Sequence, residues 1–446
     1  MKKRIKTVIL GALLVLTLVL VRQIWLAPPP TGNKLIAVAD TEFTDAVIGR
    51  MMPAAMVVNF GDGAHTKTEQ LKNLWPFYRN ILKQSFDGKE NLQWQKMAYK
   101  DYLKCHEKPS VVFEVSKGTY SDLFKDVYNL HDLKGEISAI YFSEAEGVIF
   151  ETEEGAMKPD FAVNLSDINN YIRSLEREDN PSYSSLWERY GIQRAVYLSD
   201  EKPVFEGDVV YENDLPNMKS AYKNDLLRRL LKANVDDLHE IDEEDSTLYV
   251  WGQRTVRLYN NGLLDYKDQT EMAKEVMDPA GAVERAFEFV AKNTGTIDDF
   301  YLEKLEPITA SGGGRGYRVK MNHSEKGLPV FPVKGEKTDY IVVELFNNQV
   351  KRMTYLYRNK AEEESGNTMI RGMAFDDVVA MHPEIFGAKE DGYDQLLKPL
   401  KRASLCYLDD GLEEKKALLP GYYVLYGERV YLFDALSGVY IGGDSQ

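Results

Sequence analysis

The sequence predicts an α+β protein. A single N-terminal transmembrane helix leads into an α/β ectodomain, and two units follow in which one helix precedes an antiparallel meander. Three observations carry that expectation. Four cations run into an apolar stretch closed by three prolines. Short β-branched and aromatic runs, in a chain with 27 tyrosines, recur between turn residues. The order helix-then-strands occurs twice toward the C-terminus.

The start sets the architecture. Lys2, Lys3, Arg4 and Lys6 precede the apolar run Val8 to Val21, which Ile24, Trp25 and Leu26 continue past Arg22 and Gln23 before Pro28, Pro29 and Pro30. Residues 7–27 amount to about 21 positions, enough at ~1.5 Å per residue to cross a ~30 Å hydrocarbon core. The basic tail 1–6 belongs on the cytoplasmic side, which places the C-terminal remainder outside the cytoplasm. Trp25 suits the outer interface, and Arg22 reaches the headgroups by snorkelling. A cleaved signal peptide is the rival, because the purely apolar part is short. The one small-residue cleavage pattern, Ala37-Val38-Ala39, lies well beyond the prolines, which favours a retained anchor.

With 446 residues, 44% hydrophobic and 28% charged, the chain has material for several globular cores. Net charge is −15, yet the first 33 residues hold five cations and no acid, leaving about −20 on the rest. That balance excludes nucleic acid and a polybasic lipid-binding face. Cys105 and Cys406, far apart, do not make a disulfide framework, and no Cys or His spacing suits zinc. A long-range Cys105–Cys406 bridge stays open at this stage.

Residues 28–33 read as a linker and 34–211 as the N-terminal α+β ectodomain. Within it Gly61-Asp62-Gly63 marks a turn, and Thr66 with Glu69 has capping-box spacing ahead of Leu71, Leu74, Tyr78, Ile81 and Leu82. A second helix is expected over 92–103, a strand over 111–115, a hairpin over 138–151 and a helix over 167–177. Residues 193–211 read as a strand-rich connection. The middle domain, 212–360, opens with a helix carrying Leu226, Leu227, Leu230 and Leu231, followed by the acidic run 236–245. Strands over 247–251 and 255–259 then turn at Asn260-Asn261-Gly262 into Leu263 to Tyr266. The helix 279–292 (Val283, Ala286, Phe287, Val290) precedes strands over 301–305, 316–321, 340–346 and 350–356, with Asn347-Asn348 as a hairpin turn. The C-terminal domain, 361–446, repeats the plan: a helix over 374–381, then strands over 403–408, 421–426, 430–433 and 439–441. The aromatic stripe Tyr422, Tyr423, Tyr426, Tyr431 and Phe433 reads as sheet core.

Catalytic motifs are thin. Ser220-Ala-Tyr-Lys223 and Ser199-Asp-Glu-Lys202 match S-x-x-K without a K-T-G partner. Ser311 to Gly316 lacks the Lys-Ser/Thr ending of a phosphate cradle and lies between strands. The six histidines read as surface or turn residues. The acidic run lacks the glycine and alternation of a calcium loop and reads as a solvated loop.

Taken in order, these segments resemble the YycH family of membrane-tethered extracytoplasmic regulators of the WalK/WalR (YycG/YycF) two-component system of Gram-positive bacteria. The resemblance rests on the basic start and apolar helix ending near Trp25, and on Thr247 to Tyr266 with its Gly262-x-x-x-Tyr266 ending. It also rests on the helix at 282–291 with Gly316-Tyr317-Arg318-Val319 and Gly327 to Phe331, and on Leu419-Pro420 with Tyr431 to Gly438, similar to the ending of YycI and PepSY-type modules. The chain departs from the pattern where Arg22 interrupts the anchor. The resemblance implies no enzymatic activity and no cofactor or metal. It implies partners: a WalK-type sensor histidine kinase and a YycI-like membrane protein, met largely through transmembrane helices. Gly11, Ala12 and Thr17 are small enough for close helix contact, or are simply lipid-facing. An extracytoplasmic PepSY-like module that inhibits an envelope peptidase or binds a ligand is the alternative.

Overall fold

Short alternating strands assemble first into a nine-stranded sheet. Its strands are β1 (Ala55–Gly61), β2 (Ala64–Thr68), β3 (Trp94–Met97), β4 (Ser110–Glu114), β5 (Ile137–Ser143), β6 (Gly147–Thr152), β7 (Gly155–Pro159), β8 (Tyr183–Ser185) and β9 (Tyr197–Ser199), in the order β3-β7-β6-β5-β4-β1-β2-β8-β9. The computed structural model describes residues 53–443 apart from 70–74, 90–91, 116–129, 131–132, 164, 166–167, 178–179, 208, 214, 216–217, 271–277, 296–299, 311–312, 334–338, 362–367, 389–391 and 412–414. The expected tail, anchor and linker, with Gly11, Ala12, Thr17, Arg22 and Trp25, lie outside the described residues. So do Leu71 and Leu74.

Helix α1 (Trp75–Phe86) covers one face of this sheet through Trp75, Tyr78, Leu82 and Phe86, with Tyr78 edge-on to Phe113 at 4.8 Å. On the other face lies α2 (Tyr99–Cys105), whose Tyr102 and Cys105 join Val57, Val112, Tyr141 and Ile149. Two expectations are corrected here. Thr66 is in β2, paired with Val58, and its hydroxyl donates to the Pro181 carbonyl rather than capping a helix. The expected helix over 92–103 is instead strand β3, paired with β7, followed by α2. Helices α3 (Ile168–Glu176) and α4 (Leu186–Tyr190) complete this part, the latter opened by a Ser185/Glu188 capping box.

The connection onward is pinned by two small sheets. In one, β10 (Val204–Glu206) pairs a later strand at Met369–Arg371. In the other, β11 (Val210–Asn213) pairs segments at Arg358–Lys360 and Lys416–Ala417. Helix α5 (Ser220–Leu231) then buries Leu226, Leu227, Leu230 and Leu231, as its spacing predicts. A meander follows: β12 (His239–Asp242), β13 (Ser246–Trp251), β14 (Arg254–Tyr259) and β15 (Leu263–Asp268). The acidic run is therefore not simply a loop. It holds a turn of 3₁₀ helix and the exposed edge strand β12. Gly262 (φ 88°) makes the turn into β15; a Cβ there would stand 2.6 Å from Asn213 Oδ1.

The second unit starts at α6 (Pro279–Thr294), with Asp278 capping Gly281 N at 2.7 Å and Pro279 in the first turn. Its Val283, Ala286, Phe287 and Val290 are fully buried. The strands are β16 (Phe300–Thr309), β17 (Arg315–Glu325), β18 (Leu328–Pro332), β19 (Ile341–Phe346) and β20 (Gln349–Leu356). Asn347 and Asn348, at φ 50° and 64°, make the β19–β20 turn, a conformation asparagine tolerates well. After β21 (Arg358–Lys360) and β22 (Met369–Arg371), the third unit follows: α7 (Phe375–Met381), α8 (Pro383–Phe386) and α9 (Tyr393–Leu396) precede β23 (Leu400–Asp409), β24 (Lys416–Ala417), β25 (Leu419–Tyr426), β26 (Arg429–Asp434) and β27 (Tyr440–Gly442). The helix-then-meander plan thus occurs three times. Its strands form one sheet of 13, from β12 at one edge to β27 at the other, with β18 and β23 joined in parallel. The aromatic stripe splits across that sheet: Tyr422 and Phe433 pack against Phe375 and Phe386, whereas Tyr423 joins Phe331 and Cys406 on the opposite face. Cys105 and Cys406 are both free and buried, in different clusters.

Candidate functional site

Three of the histidines are buried, against the expectation of surface positions. In the nine-stranded sheet His65 Nδ1 meets Asn59 Oδ1 at 2.7 Å and its Nε2 meets Glu188 Oε2 at 2.7 Å, while Asn59 Nδ2 donates to Ser110 Oγ. His106 Nδ1 pairs with the Tyr197 hydroxyl at 2.6 Å, and burial, with His65 nearby, lowers its pKa to about 3. In the large sheet His323 Nε2 meets the Arg358 carbonyl, and burial lowers its pKa likewise to about 3. Arg358 itself is fully buried, donating Nη2 to Asp409 Oδ1 at 2.7 Å and Nε to Oδ2 at 2.9 Å. The Tyr340 hydroxyl donates to the same carboxylate at 2.8 Å. These knots join distant strands, and apart from His106 Nε2, which is buried without a partner among the described residues, the polar atoms named here have internal partners, so each reads as structural. Nothing in the local sequence signals them, since the Glu188 partner of His65 and the Asp409 partner of Arg358 lie 123 and 51 residues away.

The S-x-x-K matches do not assemble a nucleophile. Ser199 Oγ donates to the Glu201 carbonyl, and Lys223 Nζ donates to the Tyr249 hydroxyl. Gly313 to Gly316 lies where β16 turns into β17.

A different place gathers polar groups without pairing them all. On one edge of β23 only Tyr407, Leu408 and Asp409 are covered by β18. Side chains of the nine-stranded sheet reach carbonyls of the uncovered stretch: Lys67 Nζ donates to Ala403 O at 3.3 Å, and Arg194 Nη1 to Leu400 O at 3.1 Å. Lys67 also pairs with Glu114 at 2.8 Å. Nearby, Arg189 bonds Asp376, and Tyr190 stacks on Tyr393. This seam between the two sheets holds a small cleft of ≈ 20 Å³, room for about one water, partly open to solvent. Lys67, Glu69, Tyr183, Ser404, Phe375 and Tyr422 are among its walls. Burial pushes the Glu69 carboxyl above its ordinary range, with Lys67 pulling the other way. Ser404 is 4% exposed, and its hydroxyl has no partner among the described residues. Arg402, two residues earlier, lays its guanidinium over the Tyr423 ring at 5.2 Å, and its buried Nε is likewise unpartnered. Because Tyr423 is the cross-strand neighbour of Ser404, the guanidinium and the hydroxyl lie side by side. The sequence marked Glu69, Tyr422 and Tyr423 for other roles, and Lys67, Arg402 and Ser404 carried no signal.

No helix among the described residues is long and apolar enough to cross a membrane. No protein-family model matches the chain, and no curated protein matches it significantly. Among solved structures, an uncharacterized protein from Eubacterium rectale is similar over 55% of this chain and 90% of its own, at TM-score 0.38 and 12% identity. The C-terminal domain of Bacillus megaterium YpeB is similar over 51% of this chain and 97% of its own, at TM-score 0.29 and 10% identity. The architecture is thus mixed, mostly strands with several helices, and it has the YpeB C-terminal domain among its partial structural neighbours.

Proposed function

We propose that this chain is a non-enzymatic, membrane-anchored regulatory protein of the YycH type. Residues 1–6 face the cytoplasm, 7–27 span the membrane, and the C-terminal ectodomain lies outside, its helix-plus-meander units being of the YycI/PepSY kind. It binds a WalK-type sensor histidine kinase together with a YycI-like partner and modulates the kinase in control of cell-wall metabolism. The observation that carries this reading is an order along the chain: Lys2 to Lys6, the apolar run Val8 to Val21, then the Thr247 to Tyr266 strand segment with its Gly262-x-x-x-Tyr266 ending. Physically, a helix that binds one of two kinase states better shifts their populations by its differential affinity, and no chemistry of its own is required.

The test is crosslinked affinity purification of the full-length, detergent-solubilised protein from its host, read by mass spectrometry. A parallel sample has residues 7–27 replaced by an unrelated apolar helix. Recovery of a sensor kinase and a second single-pass protein with the native anchor alone supports the reading. Recovery of a peptidase or envelope polymer, unchanged by the swap, overturns it.

A further inference from the structure

We propose that Met381 is a redox-sensitive modification site, a thioether whose conversion to the sulfoxide by a peroxide loosens the turn between β26 and β27. Among the described residues, Met369 and Met381 are the widely exposed methionines, at 63% and 47%. Exposure sets how readily each is oxidised, and what each sulfur touches sets what oxidation does. Met381 closes α7, and its Sδ rests on Gly438: an added Cβ there would stand 2.8 Å from it and 3.1 Å from the Met373 Sδ. Gly438 sits at φ 73° in the turn that brings β27 back along β26, so the bare face of a glycine takes both soft sulfurs. The same turn is held by His382 Nε2, 2.7 Å from the Gly438 carbonyl, and by the Met373 N–H, which donates to the Ala435 carbonyl at 2.7 Å.

In the oxidation a sulfur lone pair attacks one peroxide oxygen. The O–O bond breaks, an S=O bond forms and, from hydrogen peroxide, water leaves; sulfur gives up an electron pair and the peroxide takes it. The product is a polar acceptor where an apolar sulfur stood, and it needs a donor. Donors beside it are engaged already, the Gly438 N–H by the Asp434 carbonyl at 2.8 Å, and His382 by Gly438 and Glu384. The sulfoxide therefore reaches water by carrying the side chain off Gly438, which its half-exposed position allows, and the packing of α7 on the turn goes with it. Met369, in β22 opposite Glu206, is the internal control, a more exposed sulfur in a different sheet. The site belongs to the C-terminal unit, and its failure leaves the anchor-swap experiment untouched.

The experiment treats the full-length protein in detergent with hydrogen peroxide. Mass spectrometry of the digest reads sulfoxide at each methionine, and hydrogen exchange is followed on the same samples. Met369 and Met381 should oxidise ahead of the buried Met56, Met321 and Met353. Exchange in peptides over 375–386 and 434–442 should become roughly tenfold faster, the scale of one buried polar group left unpaired. Methionine sulfoxide reductases A and B together should reverse both changes. Met381→Leu keeps an apolar side chain that cannot take the oxygen, so peroxide should leave its exchange in those peptides unchanged, whereas Met369→Leu should respond as the wild type does. Met381→Gln should speed exchange there without peroxide. The wild-type comparison needs no variant to fold. The proposal is overturned by a Met381 that resists peroxide while Met369 oxidises, by oxidised Met381 with unchanged exchange at the turn, or by a peroxide response that persists in Met381→Leu.

Discussion

Removing the Asp409 carboxylate should be among the most damaging single changes in the described fold. Arg358 and Asp409 form a two-bond pair at 2.7 and 2.9 Å with side chains 0% and 1% exposed, and Tyr340 donates to the same carboxylate at 2.8 Å. Asp409→Ala leaves a buried guanidinium without its counter-ion, which costs about 3–5 kcal/mol. It also orphans the Tyr340 hydroxyl, a further ~1–3 kcal/mol that overlaps the first. About 4–6 kcal/mol is comparable to the whole stability of a typical domain. The pair ties β21 to β23, and Arg358 Nη2 also reaches the Tyr211 carbonyl on β11, so the loss should open the seams where these strands meet. Hydrogen exchange by mass spectrometry on the full-length protein reads this locally, in peptides covering residues 210–213, 358–360 and 400–409. The control is Arg358→Met with Asp409→Leu, which removes both charges and should protect those peptides better than Asp409→Ala alone. Equal exchange in wild type and Asp409→Ala, or a double variant worse than the single one, would refute a desolvated, mutually dependent pair.

Other expectations are simpler to state. Burial keeps His106 and His323 neutral in the folded protein down to about 3, whereas an ordinary histidine titrates near 6.5. The unfolded chain therefore binds more protons between these values, and stability falls with pH through that window by up to about 1.4 kcal/mol per unit for each histidine. His323→Gln should flatten the urea midpoint against pH between 6.5 and 4, and an unchanged slope would count against the buried-neutral assignment. Gly262→Ala combines a φ of 88° with a Cβ 2.6 Å from Asn213 Oδ1, and should lower the urea midpoint by more than the equivalent of ~1 kcal/mol. Phe287→Ala, at a fully buried position under the large sheet, should cost about 3–5 kcal/mol in the same assay.

What the sequence displayed, it displayed locally. The strands from Ser246 to Asp268 alternate with period two and turn at Asn261-Gly262, and the fold keeps them within a residue or two. Helix α6 shows its buried stripe, its Asp278 cap and its Pro279 start in one short stretch. The misreadings came where a distant partner decides the conformation. Trp94 to Met97 lacks a strong strand signature and is extended because β7 lies beside it, more than fifty residues on. Thr66 and Glu69 have cap spacing, but pairing with β1 wins over the cap. His65, His106 and His323 are buried by partners that no spacing rule relates to them. Arg402 and Ser404 were invisible for the same reason, because what marks them is a missing partner in three dimensions. The anchor residues Gly11, Ala12, Thr17, Arg22 and Trp25 remain a sequence argument, lying outside the described residues.

The two proposals meet in one physical requirement. The first described strand of the nine-stranded sheet begins at Ala55, whereas Arg402 and Ser404 belong to the large sheet, and the cleft lies where the two sheets touch. The described contacts across that seam include Lys67 to Ala403, Arg194 to Leu400 and Arg189 to Asp376, beside buried apolar side chains of both sheets that belong to one cluster. Helix α7 carries Asp376 at that seam and Met381 at its other end, against the turn between β26 and β27. Oxidation of Met381 can bias a kinase-bound state only by the difference between its effects on two arrangements of the chain, and a tenfold difference amounts to about 1.4 kcal/mol. The discriminating comparison is recovery of the kinase in the crosslinked affinity purification before and after peroxide, for the wild type and for Met381→Leu. Equal recovery means a modification that does not reach the partner, and a roughly tenfold change in the wild type alone means that turn and anchor act on one equilibrium.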